Sequence, residues 1–365
     1  MIRTDSYRRL KDKAIVAAYT LFVLMLFASC DVHEFPEETP STPIVLRLSF
    51  DTDMPWEMFV SDNLLQGMSS RSISRSSTVR YIVRLYSPSC NKRTDVAGDY
   101  LEYIYTTTAD DIHNNDLTIN LLPGNYSVMV WADFIDQENG GVLYNADDFS
   151  EIKVQFPYMG NTDYRDAFRG TAEISLSDFT AAVGNGVVKV DMSRPLAKFE
   201  LISTDLKEFL AQEVQARTKR NASLASSASS VAQDMTAVTK SSIDFSNYRI
   251  KFFYEGYMPT SYSMFTDKPV DAMTGVSFDG AFNVLSDDEV SLGFDYVFVN
   301  HKETSISIRM GLYNQQGELI SLTQPIDVPL KRSTKTLMRG RYLMEKASGS
   351  VAIDPSYNDE YNIVL

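Results

Sequence analysis

Apolar and polar residues alternate with period two along much of the chain. Val79, Tyr81, Val83 and Leu85 fall on one face of an extended segment, with Arg80, Ile82 and Arg84 on the other. Ile306, Ile308, Met310 and Leu312 alternate in the same way with Ser305, Ser307, Arg309 and Gly311. Such spacing turns one face of a strand toward a core and leaves the other for solvent or a second layer. The pattern predicts further strands over 43–50, 100–107, 117–122, 125–133, 168–176, 186–192, 196–203, 248–255, 290–299 and 318–328. Leu122-Pro123-Gly124-Asn125 has the chemistry of a type II turn, proline fixing φ at its second position and glycine supplying positive φ at its third. A hairpin over 117–133 is the expectation.

Helical spacing is scarce. Asp205–Val214 is the best candidate, with Leu206, Phe209 and Leu210 on one stripe and Thr204 or Asp205 as N-cap. The following stretch, about 215–242, is dominated by Ala, Ser, Thr and charge. It lacks a packing face and predicts an exposed polar loop. Strand pattern resumes at 196 after a polar corner. The expected architecture is all-β, with one β-sandwich over 44–195 and a second over 196–365. Twenty tyrosines and twenty phenylalanines against two tryptophans point the same way, because aromatic side chains fit pleated surfaces.

The N-terminus follows a different rule. Arg3, Arg8, Arg9, Lys11 and Lys13 precede an uncharged, mostly apolar run from Ala14 to Ala28. A basic segment followed by a short apolar one is the layout of a secretory signal, and the run is too short for a stable membrane span. It ends on Leu26-Phe27-Ala28-Ser29-Cys30, which resembles a bacterial lipobox. That resemblance implies a signal peptide over 1–29, cleavage between Ser29 and Cys30, and a diacylglycerol on Cys30. Phe27 stands where the lipobox prefers leucine. Residues 30–43 are acidic and rich in proline, and read as an extended tether. Asp31, Glu34, Glu37 and Glu38 resemble, in a spread-out form, the surface-export signal of Bacteroidota lipoproteins. The expected location is the outer membrane, lipid-anchored and displayed at the surface.

Charge narrows the partners. The chain carries 34 Lys and Arg against 48 Asp and Glu, a formal charge of −14, and loss of residues 1–29 would take this to −17. That excess disfavours nucleic acid and anionic lipid surfaces. With Cys30 acylated, Cys90 alone remains, so the sequence offers no intramolecular disulfide and the fold must rest on its core.

Candidate chemistry is sparse. The sequence contains no G-x-S-x-G elbow, H-E-x-x-H, phosphate loop or C-x-x-C pair. His33, His113 and His301 have no metal-ligand spacing to a second His or Cys. Asp136, Glu138, Asn145, Asp147 and Asp148 around Gly140-Gly141 are oxygen-rich, but their spacing is not that of an EF-hand, and solvated loop carboxylates are the simpler reading. No acidic pair stands out for glycoside hydrolysis. Tyr100, Tyr103 and Tyr105, or Tyr254, Tyr257 and Tyr262, offer rings for a carbohydrate platform or, more simply, cross-strand packing partners. No catalytic residue, metal or cofactor is expected, and the chain is not read as an enzyme.

Asn120-Leu-Leu-Pro-Gly-Asn-Tyr126, Arg194-Pro-Leu-Ala-Lys-Phe-Glu200, Val328-Pro-Leu-Lys-Arg332, Ile353-Asp-Pro-Ser-Tyr357 and the lipobox together resemble the Bacteroidota fimbrillin-like lipoproteins. The resemblance spans the chain beyond the signal. It implies two transthyretin-like β-sandwich domains in tandem and assembly with other fimbrial subunits by strand donation. It also implies, for shaft subunits, proteolytic removal of the first strand after an arginine. Arg71 or Arg75, in the polar stretch between the strands at 43–50 and 79–86, is the candidate cleavage position. The implied role is a fimbrial structural, anchor or adhesion subunit that meets host or bacterial surface ligands. A surface glycan-binding lipoprotein is the alternative.

Overall fold

The computed structural model describes residues 42–50, 77–86, 100–108, 116–122, 124–136, 141–175, 186–227, 244–344, 352–353 and 360–364. Up to residue 193 the chain forms β1 (Thr42–Phe50), β2 (Thr78–Tyr86), β3 (Tyr100–Thr108), β4 (Asp116–Leu121) and β5 (Asn125–Asp136). These are followed by β6 (Gly141–Val142), β7 (Tyr144–Asn145), β8 (Ile152–Val154), β9 (Ala167–Ser175) and β10 (Gly186–Ser193). Next come β11 (Leu196–Ser203), the helix α1 (Leu206–Ser227), β12 (Tyr248–Tyr254), β13 (Met258–Ser263), β14 (Lys268–Met273), β15 (Ser277–Gly280) and β16 (Asn283–Val284). The remainder is β17 (Val290–Phe298), β18 (Thr304–Asn314), β19 (Leu319–Leu322), β20 (Ile326–Leu330), β21 (Lys335–Gly340), β22 (Ala352–Ile353) and β23 (Glu360–Val364). Among the described residues the fold is all-β apart from α1 and two short 3₁₀ turns.

Period two explains the burial directly. In β18, Ile306, Ile308, Met310 and Leu312 are buried in one apolar cluster, and in β2 Val79, Tyr81, Val83 and Leu85 are buried in another. An eight-stranded sheet runs β3-β2-β5-β9-β10-β1-β4, with β6 on β5. The hydroxyls of Tyr103 and Tyr105 on β3 donate to the carbonyls of Asn120 (3.1 Å) and Thr118 (2.9 Å) on β4. The sheet therefore curls until its two end strands meet, and its inward face closes around a single core. After residue 195 the strands build a six-stranded sheet, β16-β17-β11-β21-β23-β22, and a five-stranded one, β15-β12-β18-β19 with β20 also on β18. A four-stranded sheet, β14-β13-β8-β7, takes strands from both sides of residue 195.

Three expectations are corrected. The hairpin over 117–133 does not form, because β4 pairs with β1 at one end of the sheet while β5 lies between β2 and β9. Gly124 has φ 159°, an extended value far from the third position of a type II turn. The helix does not stop at 214 but continues to Ser227, through the first part of the segment read as a polar loop. Alanine, glutamine, arginine and lysine favour a helix whether or not a face is buried, so the absence of an apolar stripe beyond Val214 did not forbid one. Finally, the segment 318–328 forms two strands, β19 and β20, that pair with different stretches of β18.

Candidate functional site

Two sets of side chains stand out for function: the first strand with the groove it fills, and a buried ionic cluster where the strands on either side of residue 195 meet. Alternation in Thr42–Phe50 sends Ile44, Leu46, Leu48 and Phe50 inward, all at most 8% exposed. The strand runs parallel to β10 from Ile44 opposite Gly186 to Phe50 opposite Met192, and β4 flanks it on the other side. Its inward residues share one cluster with Ile119 and Leu121 of β4, Val190 and Met192 of β10, and Phe168 of β9. The Phe50 ring meets Phe168 edge-on with centroids 5.2 Å apart. On the outer face Arg47 forms a two-point pair with Asp116 (2.9 and 2.8 Å), exposed on both sides. Each partner holds the other in its charged form, the hydrogen bond contributing most, so the arginine's pKa rises and the carboxyl's falls.

The parallel partnership has a topological cause. A strand can join a neighbour in parallel only when the connection between them crosses over, and here most of the eight-stranded sheet lies between β1 and β10 in sequence. β1 is therefore held by sheet hydrogen bonds and an apolar face, and its side chains enter none of the buried ion pairs among the described residues. Removing it would expose a slot lined by Val190, Met192, Ile119, Leu121 and Phe168.

The ionic cluster starts from one 3₁₀ turn, Asp163–Arg165, capped by the Thr162 hydroxyl accepting from the Tyr164 N–H. Its charges diverge. Asp163 accepts from Lys198 Nζ (2.7 Å) and from the Tyr296 hydroxyl (2.8 Å). Asp166 takes the Arg194 guanidinium in fork geometry, Nε at 2.8 Å and Nη2 at 2.8 Å, with both side chains at most 3% exposed. Arg165 lies 3.4 Å from Asp295, which also accepts from the hydroxyls of Tyr158 and Tyr254 (2.6 Å each). The Arg165 guanidinium packs over the Tyr158 ring at 4.3 Å. Burial pushes both phenols well above their ordinary range, so they remain protonated and donate to the carboxylate. The surroundings are aromatic: Trp131 and Tyr144 from the first half meet Tyr262 and Phe298 from the second. Strongly shifted groups in an open cleft would suggest catalysis, whereas Arg165, Asp166, Asp295 and Tyr296 are at most 1% exposed. The arrangement acts as a joint.

At the rim of this joint Asp267, in left-handed backbone (φ 55°), accepts from the Tyr262 hydroxyl and from Arg332 (Nη2, 2.8 Å). It lies 3.6 Å from Arg169 of β9 and 2.7 Å from His301. Burial pushes its carboxyl up, but the Arg332 and Tyr262 hydrogen bonds together with Arg169 hold it below the ordinary range.

The residues singled out in the sequence fall as follows. Ser29, Cys30, Arg71 and Arg75 lie outside the described residues, as do His33, Cys90, His113 and Glu138. The oxygen-rich stretch does not converge. Asp136 is buried, Asn145 accepts from the Asp147 N–H, and Asp148 accepts from the Ser150 N–H. Among the described residues no group of three His, Cys, Asp or Glu is placed to hold a metal. The Tyr254, Tyr257, Tyr262 platform is dispersed: Tyr254 and Tyr262 are core residues and Tyr257 is 76% exposed. Tyr103 and Tyr105 do stack, with centroids 6.4 Å apart, but their hydroxyls close the sheet. Sequence reasoning missed Asp163, Arg165 and Asp166. A signal for them existed in charged residues set among apolar ones, as Lys198 is in Leu-Ala-Lys-Phe.

Several solved structures resemble the chain at low identity. The fimbrial anchor protein Mfa2 from Porphyromonas gingivalis is 12% identical, with 77% of this chain and 82% of that one covered and a TM-score of 0.36. A candidate adhesin from Bacteroides thetaiotaomicron is 11% identical over 80% of each chain, at a TM-score of 0.41. A candidate polysaccharide-binding protein from the same species is 10% identical over 76% of this chain and 79% of that one, at 0.39. No curated protein matches by sequence. Residues 40–365 match the model of a family of unknown function, DUF6562, and the chain belongs to that family.

Proposed function

We propose that the protein is a lipid-anchored surface subunit of fimbrillin type. It presents its folded body on the acidic tether that follows Cys30 and assembles with other subunits by exchange of β1. The role is structural and adhesive, not catalytic. The observation that carries this reading is the seating of β1. It is the first described strand and follows directly on the tether. It is inserted between β10 and β4 and held by an apolar face, Ile44, Leu46, Leu48 and Phe50. A sheet slot of that kind accepts any strand with the same alternation, because main-chain hydrogen bonds give the affinity and alternate pockets the register. Arg71 and Arg75 lie between β1 and β2 in the sequence, so a cut there would separate β1 from the described strands that follow it. Display at the outer membrane, acylation of Cys30 and cleavage between Ser29 and Cys30 belong to the same proposal and rest on the sequence.

The test has two parts. Mass spectrometry of the protein isolated from its native cells reads the N-terminus, with an acylated Cys30 expected on unassembled molecules. Cleavage of the purified chain at Arg71 or Arg75, followed by a labelled peptide of residues 42–50, is expected to show displacement of β1 and uptake of the peptide. If the cut chain retains its own strand and takes up no peptide, assembly through this slot is wrong.

A further inference from the structure

The outward face of the five-stranded sheet carries a groove of about 560 Å³ that neither the joint nor the β1 slot uses. Cross-strand register builds it. Arg249 of β12 stands opposite Tyr313 of β18, Lys251 opposite Gly311, and Phe253 opposite Arg309. The intervening residues, Ile250, Phe252, Met310 and Leu312, point into the core, so the groove rests on a rigid wall. Tyr313, which lines the groove, covers the buried Gly311: a Cβ there would stand 3.0 Å from Cε2 and 3.2 Å from the hydroxyl of Tyr313. The outer half of the Tyr313 ring therefore lies over residue 311, and a larger side chain there would have to push it aside. Lys251 Nζ sits 5.5 Å from the centre of the Phe253 ring. Arg249 is taken up by Asp279 at 3.0 Å. Lys251 makes no ion pair among the described residues.

We propose that this groove binds an acidic polysaccharide, a pyranose face lying on Tyr313 and a uronate carboxylate reaching Lys251. The two halves of that ligand match the two halves of the site. The C–H face of a pyranose is apolar and flat and suits the part-exposed ring of Tyr313, while its carboxylate suits an ammonium group outside any described ion pair. A chain of net charge −14 repels an anionic polymer at long range, so such a polymer is retained only where the local charge is inverted. The charged residues that line the groove, Arg249 and Lys251, are both cationic, and Lys251 is the one that stands outside any described ion pair, though Asp279 faces it across the sheet. The inference rests on the surface-display part of the proposed function and supplies it with a ligand class. It does not depend on strand exchange.

Titration calorimetry on the purified mature chain tests the groove without requiring anchoring or assembly, so its failure is separable from failure of the fimbrial reading. Polygalacturonate, neutral dextran and polyglutamate are the probes. Polygalacturonate is expected to bind, and Tyr313→Ala to weaken it by about tenfold. Gly311→Val should do the same by lifting the ring. Lys251→Met should remove the preference for polygalacturonate over dextran. Tyr313 and Lys251 lie outside the core clusters, so an unchanged melting temperature certifies these two variants as folded. The proposal is overturned by an absence of polygalacturonate binding, by binding that Tyr313→Ala leaves intact, or by equal binding of polyglutamate. A preference that survives Lys251→Met overturns the role given to the lysine and the acidic ligand with it.

Discussion

The slot filled by β1 and the joint around Asp163, Asp166 and Asp295 are equally dry, yet they are held by opposite means. β1 contributes four inward side chains, all apolar, and its one ion pair among the described residues, Arg47 with Asp116, lies in solvent. The joint contributes buried charges, each with a named partner and a fixed geometry. An apolar face tolerates any replacement of similar shape. A buried ion pair tolerates almost none, because removing one partner leaves the other uncompensated in a low-dielectric interior. The molecule thus holds its first strand by an apolar face and its joint by charge-specific contacts.

The sharpest way to break this comparison is to remove one charge from the joint. Asp166→Ala strands Arg194, and chemical denaturation is expected to show a loss of about 3–5 kcal/mol. An apolar replacement of both partners, Asp166→Leu with Arg194→Met, should recover a large part of that loss. If the double variant is no better than the single one, the pair does more than satisfy its own charges. A smaller effect is expected in the slot. Leu46→Ala should cost about 3 kcal/mol by transfer and cavity terms. Hydrogen exchange should localise the loss, with the amides of Ile44–Phe50 opening before those of β11 and β17. Uniform opening across the whole chain would mean that β1 is not a separable element.

Acid gives the smallest and most selective effect. The folded-state pKa of Asp267 lies below its unfolded value, so its contribution is full above the ordinary carboxylate range. That contribution fades as pH falls through the lower folded value. The stability gap between the native chain and Asp267→Asn should close over that window, as read by melting at stepped pH. A gap that stays constant through the window would show that Arg332, Arg169 and Tyr262 are not acting on the carboxylate.

Much of the fold was legible in the chain because alternation is a local property. β1, β2, β11 and β18 were readable from the spacing of their own side chains. The short strands β7 and β8 were not, since two or three residues hold no period. The length of α1 was misjudged because the reading relied on a buried stripe, which a solvated helix does not need. The candidate site divided along the same line. The inward face of the first strand was visible in Ile44, Leu46, Leu48 and Phe50. The partners of Arg194 and Lys198 were not, although both residues were noticed, because Asp166 and Asp163 lie far off in sequence on a turn with no periodic signature.

The sequence by itself determined which side of each long strand faces inward. It also placed a secretory pattern ending on Cys30 ahead of the strands, since both follow from neighbouring residues alone. Tertiary structure decided which strands touch. Backbone donors and acceptors are the same in every strand, so nothing local in 117–133 distinguished a hairpin from a chain that sends β4 to β1 and β5 to β2. Ion partners were decided at the same level. A carboxylate attracts any cation, and only the closed fold puts Arg194, and no other, in fork geometry on Asp166.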